Sequence, residues 1–112
     1  MAALLPRGAF LKDISAWYNA DTAPRWLRAG HRLPAGTWAL IIAEDGAVKF
    51  QLEGKRGIVT ASPKTPAIIA PETRFQYESA GGSARFCLHY YHEALLGDAA
   101  DLASQLGGGR AA

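Results

Sequence analysis

Turn residues punctuate this chain so closely that most of it divides into short extended segments. The clearest case lies mid-chain, where Glu44-Asp45-Gly46 offers the positive φ that a tight hairpin turn requires. Behind it Val48, Phe50 and Leu52 alternate with Lys49, Gln51 and Glu53. A period of two places one set on a buried face and the other in water, the pattern of a half-buried strand. Gly54-Lys55-Arg56-Gly57 then turns the chain into a strand over 58–60, and Ser62-Pro63-Lys64-Thr65-Pro66 forms a loop before an apolar strand over 67–70. Pro71-Glu72-Thr73 precedes a further alternation, Phe75 and Tyr77 against Arg74, Gln76 and Glu78. Ala80-Gly81-Gly82-Ser83 separates that strand from the last, 84–91. Upstream, 10–18 reads as a first strand, Trp26 and Leu27 lie in a segment 25–33 behind Pro24, and Pro34-Ala35-Gly36 is a turn. Residues 37–43 are nearly all apolar, and that length between turns predicts a strand covered on both faces. Seven or eight short strands at this spacing predict an all-β antiparallel sandwich or barrel. Pattern alone leaves immunoglobulin-like, jelly-roll and lipocalin-like arrangements open.

Only the C-terminal part departs from this rhythm. Leu95, Ala99, Leu102 and Leu106 recur at helical spacing, which predicts a short amphipathic helix over 93–106. Gly97 weakens it by about 1 kcal/mol relative to alanine. Gly107-Gly108-Gly109 ends it, so 1–106 is expected to form one domain and 107–112 a flexible tail. At 112 residues, 49% hydrophobic and 20% charged, the chain fits one globular domain, with no apolar run long enough to cross a bilayer. A net charge of +2 lacks the dense basic stripe of nucleic-acid binders. The single Cys87 sits between Phe86 and Leu88, as a buried free thiol in a reducing compartment does. Arg7 and Lys12-Asp13 interrupt the N-terminal apolar stretch before it makes a signal sequence, so a cytoplasmic location is expected.

From Tyr18 to Tyr91 the chain resembles a small cupin family that includes stand-alone stress-related proteins and the N-terminal domain of tellurite-resistance B methyltransferases. The resemblance is carried by Tyr18-Asn19-x-x-Thr22-Ala23-Pro24, then His31, Gly36-Thr37-Trp38, Asp45-Gly46-Ala47-Val48-Lys49-Phe50, Ala70-Pro71-Glu72 and Phe86-x-x-x-Tyr90-Tyr91, in order. It implies a cupin double-stranded β-helix, a jelly-roll barrel. One departure matters. After Pro71-Glu72 the family usually has x-Trp-His, and here Thr73, Arg74 and Phe75 stand in those places. Phe75 cannot bind a metal, so the family's second histidine is lost.

His31 is the leading candidate, as a metal ligand or acid/base group at the barrel mouth, because imidazole titrates near neutrality and binds Zn, Fe, Ni and Cu. Read blandly, it is a hydrogen-bonded histidine beside a turn. Arg85, Cys87, His89 and Tyr91 share one face of the last strand. If that face lines the barrel, Cys87 and His89 join His31 as a soft-metal set; if Phe86 and Leu88 line it, His89 points outward. Trp26, Trp38, Phe50, Phe75, Tyr77, Tyr90 and Tyr91 fit a core, with a minority of them lining a small, dry pocket, and Arg74 suits an anionic group by its guanidinium fork. Arg25, Arg28 and Arg32 form either a solvated face or an anion site near the mouth. His92 is expected in solvent, and Glu44, Asp45 and Glu72 in turns. No phosphate loop, dinucleotide fingerprint or Cys-x-x-Cys pair is present.

The resulting expectation is a degenerate cupin that binds a small molecule through His31, Trp38, Arg74, Phe75 and Tyr77. By resemblance it is associated with tellurite or oxidant stress, and it is expected to form a homodimer without nucleic-acid or membrane partners. The alternative is a metal-dependent cupin enzyme, of dioxygenase or isomerase type, with His31, His89 and Cys87 around a divalent transition metal. A structural dimerisation module is the third reading, since pairing would protect exposed strand edges.

Overall fold

A computed structural model describes residues 5–54 and 57–93. Nine strands and one short helix follow in order: β1 (Phe10–Ile14), β2 (Tyr18–Asn19), α1 (Arg25–Ala29), β3 (His31–Arg32), β4 (Thr37–Glu44), β5 (Val48–Leu52), β6 (Ile58–Ala61), β7 (Ala67–Ile69), β8 (Arg74–Ala80) and β9 (Arg85–His92). They form two antiparallel sheets. One has the order β1-β9-β4-β7, with β2 also on β9; the other runs β3-β8-β5-β6. The all-β expectation holds. Among the described residues the sheets face each other without closing into a barrel. The expected helix over 93–106 and the tail 107–112 lie outside the described residues, except for Glu93, which continues beyond β9 without helical structure.

Alternation builds the core. Ala39, Ile41 and Ala43 on β4, Ile69 on β7 and Phe86 and Leu88 on β9 meet Val48 and Phe50 on β5 and Phe75 and Tyr77 on β8. Phe50 locks the sheets together, its ring centroid 5.4 Å from Phe86, 5.8 Å from Phe75 and 6.0 Å from Tyr77. Such offset and edge-on pairs add about 0.5–1.5 kcal/mol each to the burial itself.

Three expectations change. Asp45-Gly46 does not close a hairpin: β4 pairs with β7 and β9, while β5 pairs with β6 and β8, so this turn carries the chain from one sheet to the other. Asp45 and Gly46 do take positive φ, 60° and 140°. A Cβ on Gly46 would lie 2.9 Å from that of Ala84, the residue before β9, so glycine is required where the two crossovers meet. The segment 10–18 is two strands, separated at 15–17, and 25–33 is a helical turn followed by β3. The side chain of Asn19 shapes the turn that ends β2 ahead of that helix. Its Oδ1 accepts the Asp21 and Thr22 backbone N–H groups, and Thr22 Oγ1 accepts that of Asn19. The turn delivers Pro24 to the start of α1, and Leu27 is fully buried.

Candidate functional site

An open cleft of about 330 Å³ lies at one end of the sandwich, lined by Lys12, Asp13, His31, Leu33, Pro34, Thr37 and Tyr90. Its walls come from both sheets. Phe75 is fully buried, and antiparallel pairing puts His31 on the same inward face. The imidazole stands edge-on to Phe75, with centroids 5.9 Å apart, and to Trp26 at 5.0 Å. From the other sheet come Tyr90, next inward after Leu88 on β9, and Thr37 at the start of β4.

Strand β1 enters the cleft through an irregularity. Leu11 pairs with Tyr91 but Asp13 pairs with Tyr90, leaving Lys12 as an extra residue. In a regular strand adjacent side chains point to opposite faces. The bulge cancels one alternation, and both Lys12 and Asp13 line the cleft.

The electrostatics keep the two ring groups uncharged. Burial lowers the pKa of His31, favouring neutral imidazole at pH 7. Tyr90 is pushed up to about 12, first by burial and then by the negative charges of Tyr18 and Asp13. Among the described residues, neither the His31 ring nitrogens nor the Tyr90 hydroxyl has a hydrogen-bond partner. Polar groups left half-buried without protein partners are open to solvent or a ligand.

The other expected site residues are elsewhere. Because Phe86 and Leu88 face the core, Cys87 and His89 project to the outer side of their sheet and do not meet His31. Cys87 is buried there opposite Ile42, and burial, followed by the charge of Glu44, raises its pKa, so the thiol is a poor nucleophile. Among the described residues no three His, Cys, Asp or Glu side chains are grouped to hold a metal ion. The position facing His31 belongs to Phe75. Among the described residues, then, no donor set for a metal is assembled around His31.

Trp38 is also on the outer side, paired with Tyr91, and its indole N–H donates to Glu93 Oε2 at 2.7 Å. Tyr77 belongs to the core, stacked on Phe86 and covered by the Arg28 guanidinium. Arg74 lies over Gly30, where φ is 104° and a Cβ would collide with the guanidinium, and donates to the Ala29 carbonyl. Two of the three arginines near the mouth are engaged as well. Arg28 donates to the Ala23 and Ala20 carbonyls, and Arg32 binds Glu53 at 2.6 Å and the Glu72 carbonyl. Of the expected ligand-binding residues, His31 lines the cleft and Phe75 backs it.

The sequence singles out none of Lys12, Asp13 and Thr37 as site residues, and it offers Tyr90 only as one of seven aromatics of which a minority line a pocket. Thr37 and Tyr90 sit inside the motifs Gly36-Thr37-Trp38 and Phe86-x-x-x-Tyr90-Tyr91, and a polar residue on an inward position of an otherwise apolar strand was the available signal. Lys12 and Asp13 carried none, since a bulge leaves no periodic trace.

The family model described as the TehB-like domain matches residues 13–88. No curated protein matches the chain. Solved structures of other proteins share the fold. A protein from E. coli (strain K12) is 17% identical with a TM-score of 0.70, over 83% of this chain and 99% of that one. TehB from Haemophilus influenzae is 17% identical with a TM-score of 0.71, over 88% of this chain but only 40% of its own length.

Proposed function

Since this chain belongs to the TehB-like domain family, we propose that it is a small-molecule-binding module whose site is the cleft around His31 and Tyr90. In this reading it is a degenerate cupin-type jelly roll, related to tellurite or oxidant stress through its family. The observation that carries it is the pair of partnerless polar groups, an imidazole and a phenol, held neutral over a cleft with Leu33 and Pro34 in its wall. Pockets for small ligands combine an apolar wall with a few convergent polar groups, and 330 Å³ is at the lower end of their range. A neutral imidazole both donates and accepts a hydrogen bond, while a protonated phenol donates, so the pair suits an uncharged polar group of the ligand.

The test is a screen of uncharged, anionic, cationic and zwitterionic small molecules against the ¹⁵N-labelled full chain. Binding should move the amide resonances of His31, Thr37 and Tyr90 together. Tyr90→Phe should weaken any such ligand by about tenfold, the scale of one well-placed hydrogen bond. Binders that all map elsewhere, or a panel with none at the cleft, would reject the reading.

A further inference from the structure

The cleft contains a second pair of groups, and it narrows the class of ligand. Lys12 and Asp13 are adjacent in sequence, exposed, and both turned to the cleft by the β1 bulge. Neither is in an ion pair among the described residues: the only contact of the Asp13 carboxylate with a donor is local, to the Ile14 backbone N–H at 2.9 Å. One cation and one anion therefore line the same small space without forming an ion pair, beside an imidazole and a phenol that contribute no charge near pH 7.

Resting on the reading of the cleft as a small-molecule site, we propose that its ligand class is a small zwitterion of amino-acid size, with its carboxylate toward Lys12, its ammonium toward Asp13 and an apolar portion against Leu33 and Pro34. Three features exclude the simpler alternatives. An oxyanion at Lys12 meets the Asp13 carboxylate in the same lining, and the like charge opposes it. A plain amine at Asp13 meets Lys12 by the same argument. A wholly apolar ligand would bury the His31 and Tyr90 polar groups without partners, at a desolvation cost. A molecule that carries both charges meets each with its complement and leaves the net charge of the site at zero.

The experiment compares L-leucine with two analogues, each missing one charge: 4-methylpentanoate, without the amine, and 3-methylbutylamine, without the carboxylate. Each is titrated into the full chain by calorimetry and ¹⁵N NMR, with tellurite as an oxyanion control. L-leucine should bind at the cleft, and each analogue should bind about tenfold more weakly, as expected for loss of one charge-assisted contact. Lys12→Met should abolish the advantage of L-leucine over 3-methylbutylamine while retaining that over 4-methylpentanoate, and Asp13→Asn should do the reverse. Both side chains are exposed, and unchanged unfolding midpoints would confirm that the variants fold. Equal binding of L-leucine and its analogues, tighter binding of tellurite, or no binding of L-leucine overturns the zwitterion proposal. If an uncharged or singly charged compound from the broader panel still occupies the cleft, only this inference fails; if nothing occupies it, the small-molecule reading fails with it.

Discussion

Tyr90 connects the cleft to the stability of the whole sandwich, and alkaline pH exposes the link. Its pKa rises from the usual 10 to about 12 in the folded protein. The unfolded chain therefore releases this proton first, and between those values the native state binds more protons than the unfolded one. The sign follows: the contribution of Tyr90 is fully present below pH 10 and is lost as pH rises through 12. Between pH 8 and pH 11 a single group with such a shift loses about 1.4 kcal/mol, and solvent screening of a half-buried phenol reduces this to about 1 kcal/mol. Other groups also titrate in this range, so the measurement is a difference. Urea unfolding of the wild type and of Tyr90→Phe, at pH 8 and pH 11, cancels what the two proteins share. The stability of the wild type relative to the variant should fall by about 1 kcal/mol between the two pH values. A difference unchanged between them, or one that grows in favour of the wild type, would refute the raised pKa of Tyr90 and the burial that chiefly causes it.

At acid pH His31 acts in the opposite direction. Its lowered pKa means the unfolded chain takes up the proton first, so stability should fall as pH drops from about 6.5 toward the lower folded value, and His31→Gln should flatten that part of the stability–pH curve. Phe50→Ala should cost about 3–5 kcal/mol in urea unfolding, because a fully buried ring with three aromatic neighbours leaves a cavity between the sheets; a loss below about 1 kcal/mol would mean the sheets do not meet there. Gly46→Ala should destabilise by about 1–3 kcal/mol through its positive φ and the contact with Ala84, seen as a lower thermal midpoint. With Phe75 opposite His31, prolonged chelation should leave the thermal midpoint unchanged. Loss of a resident ion held at a hundredfold its Kd would instead cost about 2.7 kcal/mol, a shift on the order of 10 °C.

The strands of this protein are local events, and their signals are local. Val48, Phe50 and Leu52 alternate with polar neighbours because one face of β5 meets a core and the other meets water, a requirement imposed residue by residue. The same logic makes β8 and the apolar run in β4 legible, and with them the all-β class. Pairing is not local. Asp45-Gly46 has the dihedral signature of a turn, but whether that turn joins partners within a sheet or crosses between sheets depends on what β9 offers to β4, some forty residues later. The inward face of β9 was equally out of reach. Phe86 and Cys87 are both fully buried, and only packing against Phe50 and Tyr77 decided that Phe86 faces the core and that His89 therefore turns away from His31. Most of the cleft is a product of that assembly. His31 could be singled out because its chemistry stands out at one position, whereas Lys12, Asp13 and Tyr90 become neighbours through a bulge and a strand register. A bulge shifts one residue in a ladder that the partner strand defines, so it exists only once the partner is in place.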